Sequence, residues 1–307
     1  MSLLVVGTVA FDAIETPFGK TDKIVGGAAT YIGMSASKFY DHINLVSVVG
    51  DDFPKSAIEM MQKHHIDMKG LQIKEGEKTF FWAGKYHNDM NTRDTLDTQL
   101  NVLETFDPKV PETYQDCECL MLGNLMPAVQ QQVLSQLKER PKLIVLDTMN
   151  FWMDNCLEDL MEALKNVDVL TINDEEARQL SGEHSLVKAA RKILSFGPKH
   201  LIIKKGEHGA LLFSQDEVFF APALPIEDVF DPTGAGDTFA GGFIGHLCAT
   251  KDYSFQNMKR AVIIGSTMAS FCVEKFGTER LEGLTKEAVE QRIQEFVNLV
   301  QFDIHLK

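Results

Sequence analysis

The chain has 307 residues, of which 44% are hydrophobic, enough to bury a large core in a single α/β domain spanning residues 1–307. Its formal net charge of -14 and pI near 5.1 exclude binding of nucleic acid or an anionic membrane through a basic surface. No apolar run is long enough to span a membrane, and the N-terminal residues MSLLVVG lack the basic flank of a signal peptide, so we expect a cytoplasmic protein.

Two features near the N-terminus point to a ligand site. Residues 3–7 form an apolar run that ends in glycine, which is typical of a buried parallel strand. Asp12 follows this strand at the edge where open α/β sheets bind ligands, although a solvated loop aspartate is the alternative. Gly26 and Gly27 introduce a helical pattern that contains Tyr31, and a plain helix start is the competing interpretation there.

Two segments in the first half, 13–26 and 77–100, interrupt the alternation of strands and helices. The first is polar and rich in turn residues. The second contains KTFFWAGKY, which predicts a strand with Phe80, Trp82, Gly84 and Tyr86 on one face. The polar run that follows carries a single arginine, Arg93, and is either a solvated connection to the core or a substrate-recognition loop.

Strand and helix patterns then alternate regularly through the rest of the chain. Apolar runs at 119–123, 143–147, 168–173 and 201–205 predict a mostly parallel sheet between two layers of helices. Residues 148–152 follow one strand and form either a substrate wall or aromatic packing under a loop. The acids after Asn173 are typical of a helix start, and the sequence KGEHG at 205–209 is typical of a turn between strands.

Residues 230–243, FDPTGAGDTFAGGF, specify a turn and a reactive carboxylate together. Pro232 cannot lie inside a helix, and the glycines after it turn freely, so a buried helix should begin at this turn. The free amides of Gly234, Ala235 and Gly236 would then form a cradle for a phosphoryl group at the helix N-terminus. Asp237, held ionised by the helix dipole, could accept a proton. This combination suits phosphoryl transfer to a hydroxyl, although a plain turn with a capping aspartate is the alternative.

The string DPTGAGD followed by TFAGGF resembles the C-terminal signature of the ribokinase-like carbohydrate kinases, the PfkB family. The resemblance extends over most of the chain. It implies a three-layer α/β/α ribokinase-like core in which segments 13–26 and 77–100 form a small β-sheet lid, which in this family often also joins two subunits into a homodimer. It also implies an ATP-dependent kinase, with Mg2+ as cofactor, that phosphorylates a hydroxymethyl or hydroxyl group of a small sugar.

The resemblance assigns roles on the substrate side of such a site. Asp237 matches the catalytic base, and the three amides before it would stabilise the transferring charge. Asp12 matches an aspartate that holds substrate hydroxyls. Gly26 and Gly27 match the family's diglycine, where the lid hinges and the backbone approaches the substrate. Tyr31 stands where many sugar kinases carry an asparagine that binds sugar hydroxyls, which weakens an assignment to ribose or fructose.

Further roles concern the nucleotide and its cations. Asn173 and Glu176 match the family's NxxE motif, in which an amide and a carboxylate orient the waters around Mg2+. Asp231 matches a position near a monovalent-cation site, which makes K+ a further candidate. Three residues resemble the family's KxGxxG nucleotide loop: Lys205, Gly206 and Gly209.

Two other functions stay open at this point. A nucleoside kinase on the same scaffold is favoured by Tyr31 and by the aromatic residues Phe80, Trp82 and Tyr86, because aromatic faces can stack on a base. The other is a catalytically silent sensor of sugars or nucleotides. The intact Asp237 and glycine turn argue against a silent protein.

Overall fold

The computed structural model describes residues 2–301, which form two β-sheets and a set of surrounding helices. The strands are β1 (Leu3–Val6), β2 (Ala10–Thr16), β3 (Gly19–Lys20), β4 (Ile24–Gly26), β5 (Ile43–Gly50), β6 (Ile66–Lys74), β7 (Phe81–Tyr86), β8 (Arg93–Gln99), β9 (Cys119–Leu122), β10 (Leu143–Asp147), β11 (Val169–Asn173), β12 (His200–Lys204), β13 (Ala210–Phe213) and β14 (Val218–Ala221). The helices are α1 (Ala28–Ala36), α2 (Lys55–Lys63), α3 (Pro127–Ser135), α4 (Asn150–Asn155), α5 (Leu157–Leu164), α6 (Asp174–Ser181), α7 (Leu186–Leu194), α8 (Ala235–Thr250), α9 (Phe255–Cys272), α10 (Glu279–Glu282) and α11 (Lys286–Val300).

A nine-stranded sheet forms the core of the molecule. Its strands lie in the order β14-β13-β12-β11-β10-β9-β1-β5-β6. From β12 to β6 in this order, neighbouring strands pair in parallel. At the other edge, β12 with β13 and β13 with β14 pair antiparallel. Central strands such as β1, with the sequence LLVV, are buried on both faces, as parallel strands covered by helices must be.

Helices cover both faces of this sheet, which gives the α/β/α core predicted from the alternating pattern. On one face, α1, α2, α8 and α9 pack against alternate strand residues such as Leu3 and Val5. On the other, α3, α5, α6 and α7 pack against the intervening residues, including Leu4 and Val6. No helix among residues 2–301 combines the length and apolar character needed to cross a membrane.

The contact between α1 and α8 fixes the position of Asp237, which lies in the first turn of α8. Glycines on α8 let the two helices approach closely: a Cβ atom on Gly245 would lie 2.9 Å from the Cα atom of Ala36. The Ser35 hydroxyl adds a hydrogen bond to the carbonyl oxygen of Thr238 at 2.6 Å. The start of α8 is therefore held rigidly against α1.

A second sheet, called here the lid sheet, contains the strands β3-β2-β7-β8, with β4 paired to β2. It is built from the two segments that interrupt the α/β alternation, as the sequence indicates, with β2 beginning earlier at Ala10. Strands β2 and β7 are parallel, and Asp12 lies opposite Trp82. Strand β8 is antiparallel to β7 and closes one edge of the sheet.

The polar run after Tyr86 differs from its prediction as a connection or loop, because residues 93–99 form strand β8. All seven residues of β8 are exposed, so its sequence shows no alternation of apolar and polar positions. Backbone pairing with β7 alone identifies it as a strand. The sequence patterns also miss β6 and β14, two edge strands of the main sheet.

Candidate active site

The turn before α8 has the geometry of an anion-binding loop. Gly234 caps the helix with φ 73°, and a Cβ atom there would lie 2.5 Å from the ring of Tyr31, so only glycine fits. Among residues 2–301, no backbone acceptor engages the amides of Gly234 and Gly236. The Ala235 amide differs from the prediction of three free amides, because it donates to the carbonyl oxygen of Pro232 at 3.2 Å.

Asp237 is half-buried at the start of α8, and its Oδ1 atom is itself buried without a hydrogen-bond partner within the described chain. Burial and the nearby carboxylate of Asp147 raise the pKa of Asp237 to about 7, although Lys204 and Arg93 act in the opposite direction. Asp237 is therefore only partly ionised at neutral pH, since the desolvation of its carboxylate offsets the helix dipole that was expected to keep it ionised. A carboxyl group that titrates near pH 7 is well suited to accept a proton.

Two further buried acids, Asp147 and Glu176, lie close to Asp237, and we call these three residues together with Lys204 the carboxylate cluster. The Nζ atom of Lys204 lies 3.4 Å from Oδ1 of Asp147. It would lie 3.0 Å from a Cβ atom on Gly236, which places the ammonium group beside the start of α8. Burial alone would lower the pKa of Lys204, but the three carboxylates raise it, so the ammonium group stays charged.

Lys204 and Asp147 were not among the residues predicted for the site, although their positions at strand ends could have indicated them. Asp147 ends β10 and Lys204 ends β12, and the carboxyl ends of parallel strands meet at one edge of a sheet. The KxGxxG spacing counted back from Gly206 also begins at Lys204 rather than at Lys205. Lys205 instead starts the 3-10 turn of a β-hairpin, with its amide donating to the carbonyl of Gly209 at 2.8 Å. Its role at the nucleotide stays a prediction.

Asn173 and Glu176 form a reciprocal capping box at the start of α6. The Asn173 side chain accepts a hydrogen bond from the Glu176 amide at 2.8 Å, and the Glu176 carboxylate accepts one from the Asn173 amide at 2.7 Å. Burial raises the pKa of Glu176 to about 7, against the effect of Lys204. The helix cap that was the alternative interpretation is thus present in the structure. It also holds the Glu176 carboxylate near Lys204 and Asp147.

Asp12 lies on the other side of Asp237, against the diglycine. A Cβ atom on Gly26 would overlap the Asp12 carboxylate, and the Gly27 amide donates a hydrogen bond to it. Gly27 adopts φ 92°, a conformation that favours glycine. Burial and the carboxylate of Asp231 raise the pKa of Asp12 to about 7. The structure thus brings together Asp12 and both glycines, as the sequence predicts.

Tyr31 and Asp231 complete this side of the site. The Tyr31 hydroxyl is buried without a hydrogen-bond partner among residues 2–301, and burial followed by the nearby carboxylates raises its pKa well above the usual value. Asp231 is fully buried, and its carboxylate accepts hydrogen bonds from the amides of Thr233 at 2.8 Å and Gly277 at 2.9 Å. Burial raises the pKa of Asp231 despite these two donors.

The lid sheet closes over the anion-binding loop through contacts from both of its hairpins. The hydroxyl of Thr233 donates to that of Tyr86 on β7 at 3.2 Å, and the Phe18 ring lies 5.1 Å from the Phe230 ring. A Cβ atom on Gly206 would overlap the side chain of Asn91, so the tip of the β7–β8 hairpin touches the KGEHG turn. The lid sheet therefore spans from the anion-binding loop to the KGEHG turn.

Arg93 brings a positive charge from the lid to this site. It begins β8, in register with Tyr86, and its charge lowers the pKa values of Asp237 and Glu176. The exposed sequence around it gave two interpretations, a solvated connection or a substrate-recognition loop. The effect of its charge on Asp237 favours the substrate-recognition loop.

Residues 2–282 match the sequence profile of the pfkB family carbohydrate kinases, so the chain belongs to this family and is an ATP-dependent kinase of alcohol groups. The family, fold and enzyme class predicted from the sequence are confirmed.

Several individual proteins are similar to this chain in sequence or in structure. The chain is 31% identical over 250 residues to the cytidine kinase of Thermococcus kodakarensis, which covers 80% of this chain and 87% of that protein. The crystal structure of the Methanocaldococcus jannaschii nucleoside kinase has a TM-score of 0.76 at 22% identity and covers 96% of this chain and 99% of the other. The Burkholderia thailandensis nucleoside kinase in complex with inosine has a TM-score of 0.76 at 17% identity, covering 97% and 98%. These two structures show a shared fold.

Proposed function

We propose that the protein transfers the γ-phosphate of ATP to the hydroxymethyl group of a nucleoside, with a free furanose sugar as the second candidate substrate. The observation that carries the phosphoryl transfer is the buried, unpartnered Oδ1 atom of Asp237, which lies at the start of α8 beside two unengaged amides. The choice of a nucleoside is supported by the 31% identity to a cytidine kinase. The departure at Tyr31 from the asparagine of many sugar kinases agrees with it.

Substrate hydroxyls would be held by Asp12 and Tyr31. The amide of Gly27 fixes the Asp12 carboxylate, and Gly26 leaves room for it, so the carboxylate can accept hydrogen bonds from the sugar. The Tyr31 hydroxyl lacks a partner in the described part of the chain, and a sugar hydroxyl would supply one. These two groups would orient the hydroxymethyl oxygen toward Asp237.

Proton transfer and bond exchange follow from this arrangement. Ionised Asp237 accepts the proton of the substrate hydroxyl while the hydroxyl oxygen forms a bond to the γ-phosphorus. The bond between the γ-phosphorus and the bridging oxygen breaks, and ADP leaves with that oxygen. The product is a phosphate monoester, and the proton lies on the Asp237 carboxyl group. Asp237 therefore serves as the general base.

Charge on the transferring group would be stabilised from three directions. The amides of Gly234 and Gly236 point out of the α8 N-terminus, whose dipole favours an anion. Ala235, whose amide is already engaged, shapes the turn between them. Lys204 supplies a cation beside this turn, and Arg93 supplies a second one from the lid.

The remaining nucleotide contacts are assigned to the strand ends of the main sheet. Asn173, Lys205, Gly206 and Gly209 are proposed to contact ATP. Three buried carboxylates near a single lysine provide hard oxygen ligands, which fit Mg2+. Within residues 2–301, no three His, Cys, Asp or Glu residues are arranged to hold a metal directly, so Glu176 and Asp147 would act through water. Mg2+ bound there with ATP would neutralise charge on the phosphates.

Three broader features complete the proposal. Asp231, buried beside the anion-binding loop, is the candidate for a K+ site, because its carboxylate could join backbone oxygens around such an ion. A homodimer through the lid is supported by the fully exposed edge strand β8, on which Leu96 is 58% exposed. A cytoplasmic location fits a kinase that uses ATP.

The test is an assay of ADP release with Mg2+, with and without K+, on a panel of nucleosides, ribose and fructose 6-phosphate. We expect kcat/KM for the best nucleoside to exceed that for ribose at least roughly tenfold, since a base adds contact surface. Higher kcat/KM for a free sugar would favour the second candidate. Binding of ATP without turnover of any alcohol would support the sensor instead.

A further inference from the structure

One face of the lid sheet is turned toward the active site. Asp12 on β2 lies against Gly26, and Tyr86 on β7 contacts Thr233, so both side chains mark this face. Alternate residues of a strand share a face, which adds Trp82 to it with Tyr86. The pairing of β2 with β7 agrees, because Asp12 and Trp82 lie opposite each other in register. Trp82 is therefore next to the carboxylate that is proposed to hold the sugar.

The indole of Trp82 has a fixed seat on the lid. Its six-membered ring covers Gly84 so closely that a Cβ atom at that position would overlap it. The Nε1–H group donates to the hydroxyl of Thr95 at 3.3 Å, and Thr95 pairs with Gly84 across β7 and β8. The side chain is only partly buried. A partly exposed, fixed aromatic surface thus lies on the strand next to that of Asp12.

From this arrangement we propose that the base of a nucleoside substrate stacks on Trp82 while Asp12 holds the ribose. The inference rests on the proposed nucleoside kinase activity and adds the residue that separates nucleosides from free sugars. A free sugar has no aromatic face to place on the indole, whereas every base has one. Stacking of a base on an aromatic side chain contributes roughly 5–150-fold to affinity.

The other tryptophan of the chain, Trp152, provides a matched control, because the sequence contains two. It lies on α4, after the carboxyl end of β10, in the segment that the sequence suggests as a substrate wall. Its Nε1–H group donates to Asn124 at 2.8 Å, and its ring meets Phe151 edge-on with centroids 4.9 Å apart. Packing against protein groups therefore explains Trp152 without a ligand.

Tryptophan fluorescence can decide between the two positions. In W152F, Trp82 is the only tryptophan, and we expect saturable quenching by cytidine or adenosine and none by ribose. In W82F, which retains Trp152, the same nucleosides should cause no quenching. Quenching that follows Trp152, or ribose quenching equal to that of the nucleosides in W152F, would overturn the inference. So would the absence of quenching by nucleosides that the enzyme phosphorylates.

Steady-state kinetics provide the second measurement. W82A should raise KM for the nucleoside roughly 5–150-fold, with kcat and KM for ATP nearly unchanged, because the base stacks before and during the transfer. W82F should keep most of the affinity, since phenylalanine also presents an aromatic face. G84A should resemble a milder W82A by displacing the ring. Circular dichroism and the Tm of each variant check its folding, and an unchanged KM in a folded W82A would contradict the role.

The two proposals fail in different ways. If W82A phosphorylates nucleosides as well as the wild type does, the result supports the proposed function and rejects the base platform. Quenching of Trp82 by nucleosides without any turnover supports the platform and rejects the kinase activity on nucleosides. Turnover of ribose alone, with no quenching, rejects both.

Discussion

Two aspartates at opposite edges of the main sheet, Asp168 and Asp237, differ in how their carboxylates are hydrogen-bonded. Asp168, just before β11 at the amino edge, accepts hydrogen bonds from the Ile144 amide at 3.0 Å, from Arg140 at 3.0 Å and from Lys199 at 2.9 Å. Asp237, above the carboxyl edge, has an Oδ1 atom with no partner in the described chain. Asp168 is buried and well supplied with donors, whereas Asp237 is half-buried and its buried Oδ1 atom has none.

The difference has an energetic meaning. Donors around a buried carboxylate offset the loss of its hydration, so Asp168 can contribute to stability. An incompletely solvated carboxylate such as Asp237 takes up a proton more readily, which its raised pKa of about 7 reflects. The amino edge of the sheet thus holds an acid with three donors, and the carboxyl edge holds an acid with an unpartnered oxygen atom.

The largest expected effect is on catalysis. Asp237→Asn keeps the size of the side chain but removes the base, so we expect kcat to fall roughly 10²–10⁴-fold with ATP affinity largely retained. Initial rates of ADP release and ATP titrations by calorimetry measure the two quantities. Asp168→Asn is the matched control, because it makes the same change at the amino edge and should keep near wild-type kcat per folded molecule. Near wild-type turnover of Asp237→Asn would remove Asp237 from the mechanism.

The same Asp168→Asn variant should lose stability rather than activity. It loses the charged acceptor of three donors, and we expect the free energy of unfolding to fall by about 1–3 kcal/mol. The expected loss is moderate because Arg140 and Lys199 are largely exposed and stay hydrated. Urea unfolding followed by circular dichroism measures the change. As a surface control, Glu290→Gln breaks the exposed pair with Lys286, and its free energy of unfolding should stay within about 0.5 kcal/mol of wild type. An equal loss of stability in both variants would contradict the comparison.

The smallest effect is a pH dependence that sharpens the comparison. A carboxyl group whose pKa is raised on folding stabilises the folded state below its unfolded value and loses this stabilisation as pH rises toward the folded value. For Asp237 this window extends from about 4 to about 7. Without ATP and Mg2+, the stability of Asp237→Asn relative to wild type should therefore increase by about 1–2 kcal/mol between pH 5 and pH 7.

Activity should depend on pH in the opposite sense, because the base must be ionised. We expect kcat/KM of the wild type to fall up to about tenfold per pH unit below pH 7. Urea unfolding of both proteins and a wild-type rate profile over the same pH range test the two trends. A constant stability difference, or a rate that rises toward acid pH, would show that Asp237 does not titrate in this window.

Local sequence predicted those parts of the site in which chain neighbours decide the conformation. Pro232 and the glycines after it specify a turn, so the start of α8 and the place of Asp237 in its first turn were predicted well. The apolar runs around β1 and β10 likewise identified buried strands. The capping box at Asn173 also depends on residues only three positions apart.

Other features depend on groups that are distant in the chain, and local sequence patterns predicted these less well. The expectation that Asp237 is ionised considered the dipole of its own helix, whereas burial under the lid and the charge of Asp147 set its pKa. Arg93 stood in a polar run without periodicity, because its strand is exposed on both faces. The proximity of Lys204 to the start of α8 follows from how α8 packs over the sheet.

By itself, the sequence determined the family, the α/β/α core and the position of Asp237 in the first turn of a helix, because hydrophobic period and turn chemistry act over a few residues. Only the tertiary structure decided which charges surround Asp237 and where the indole of Trp82 lies. These depend on the order of strands in the sheet and on the closure of the lid, which bring together residues separated by a hundred positions or more. Burial then changes their pKa values, since a carboxylate away from water is stabilised only by the groups that the fold places beside it.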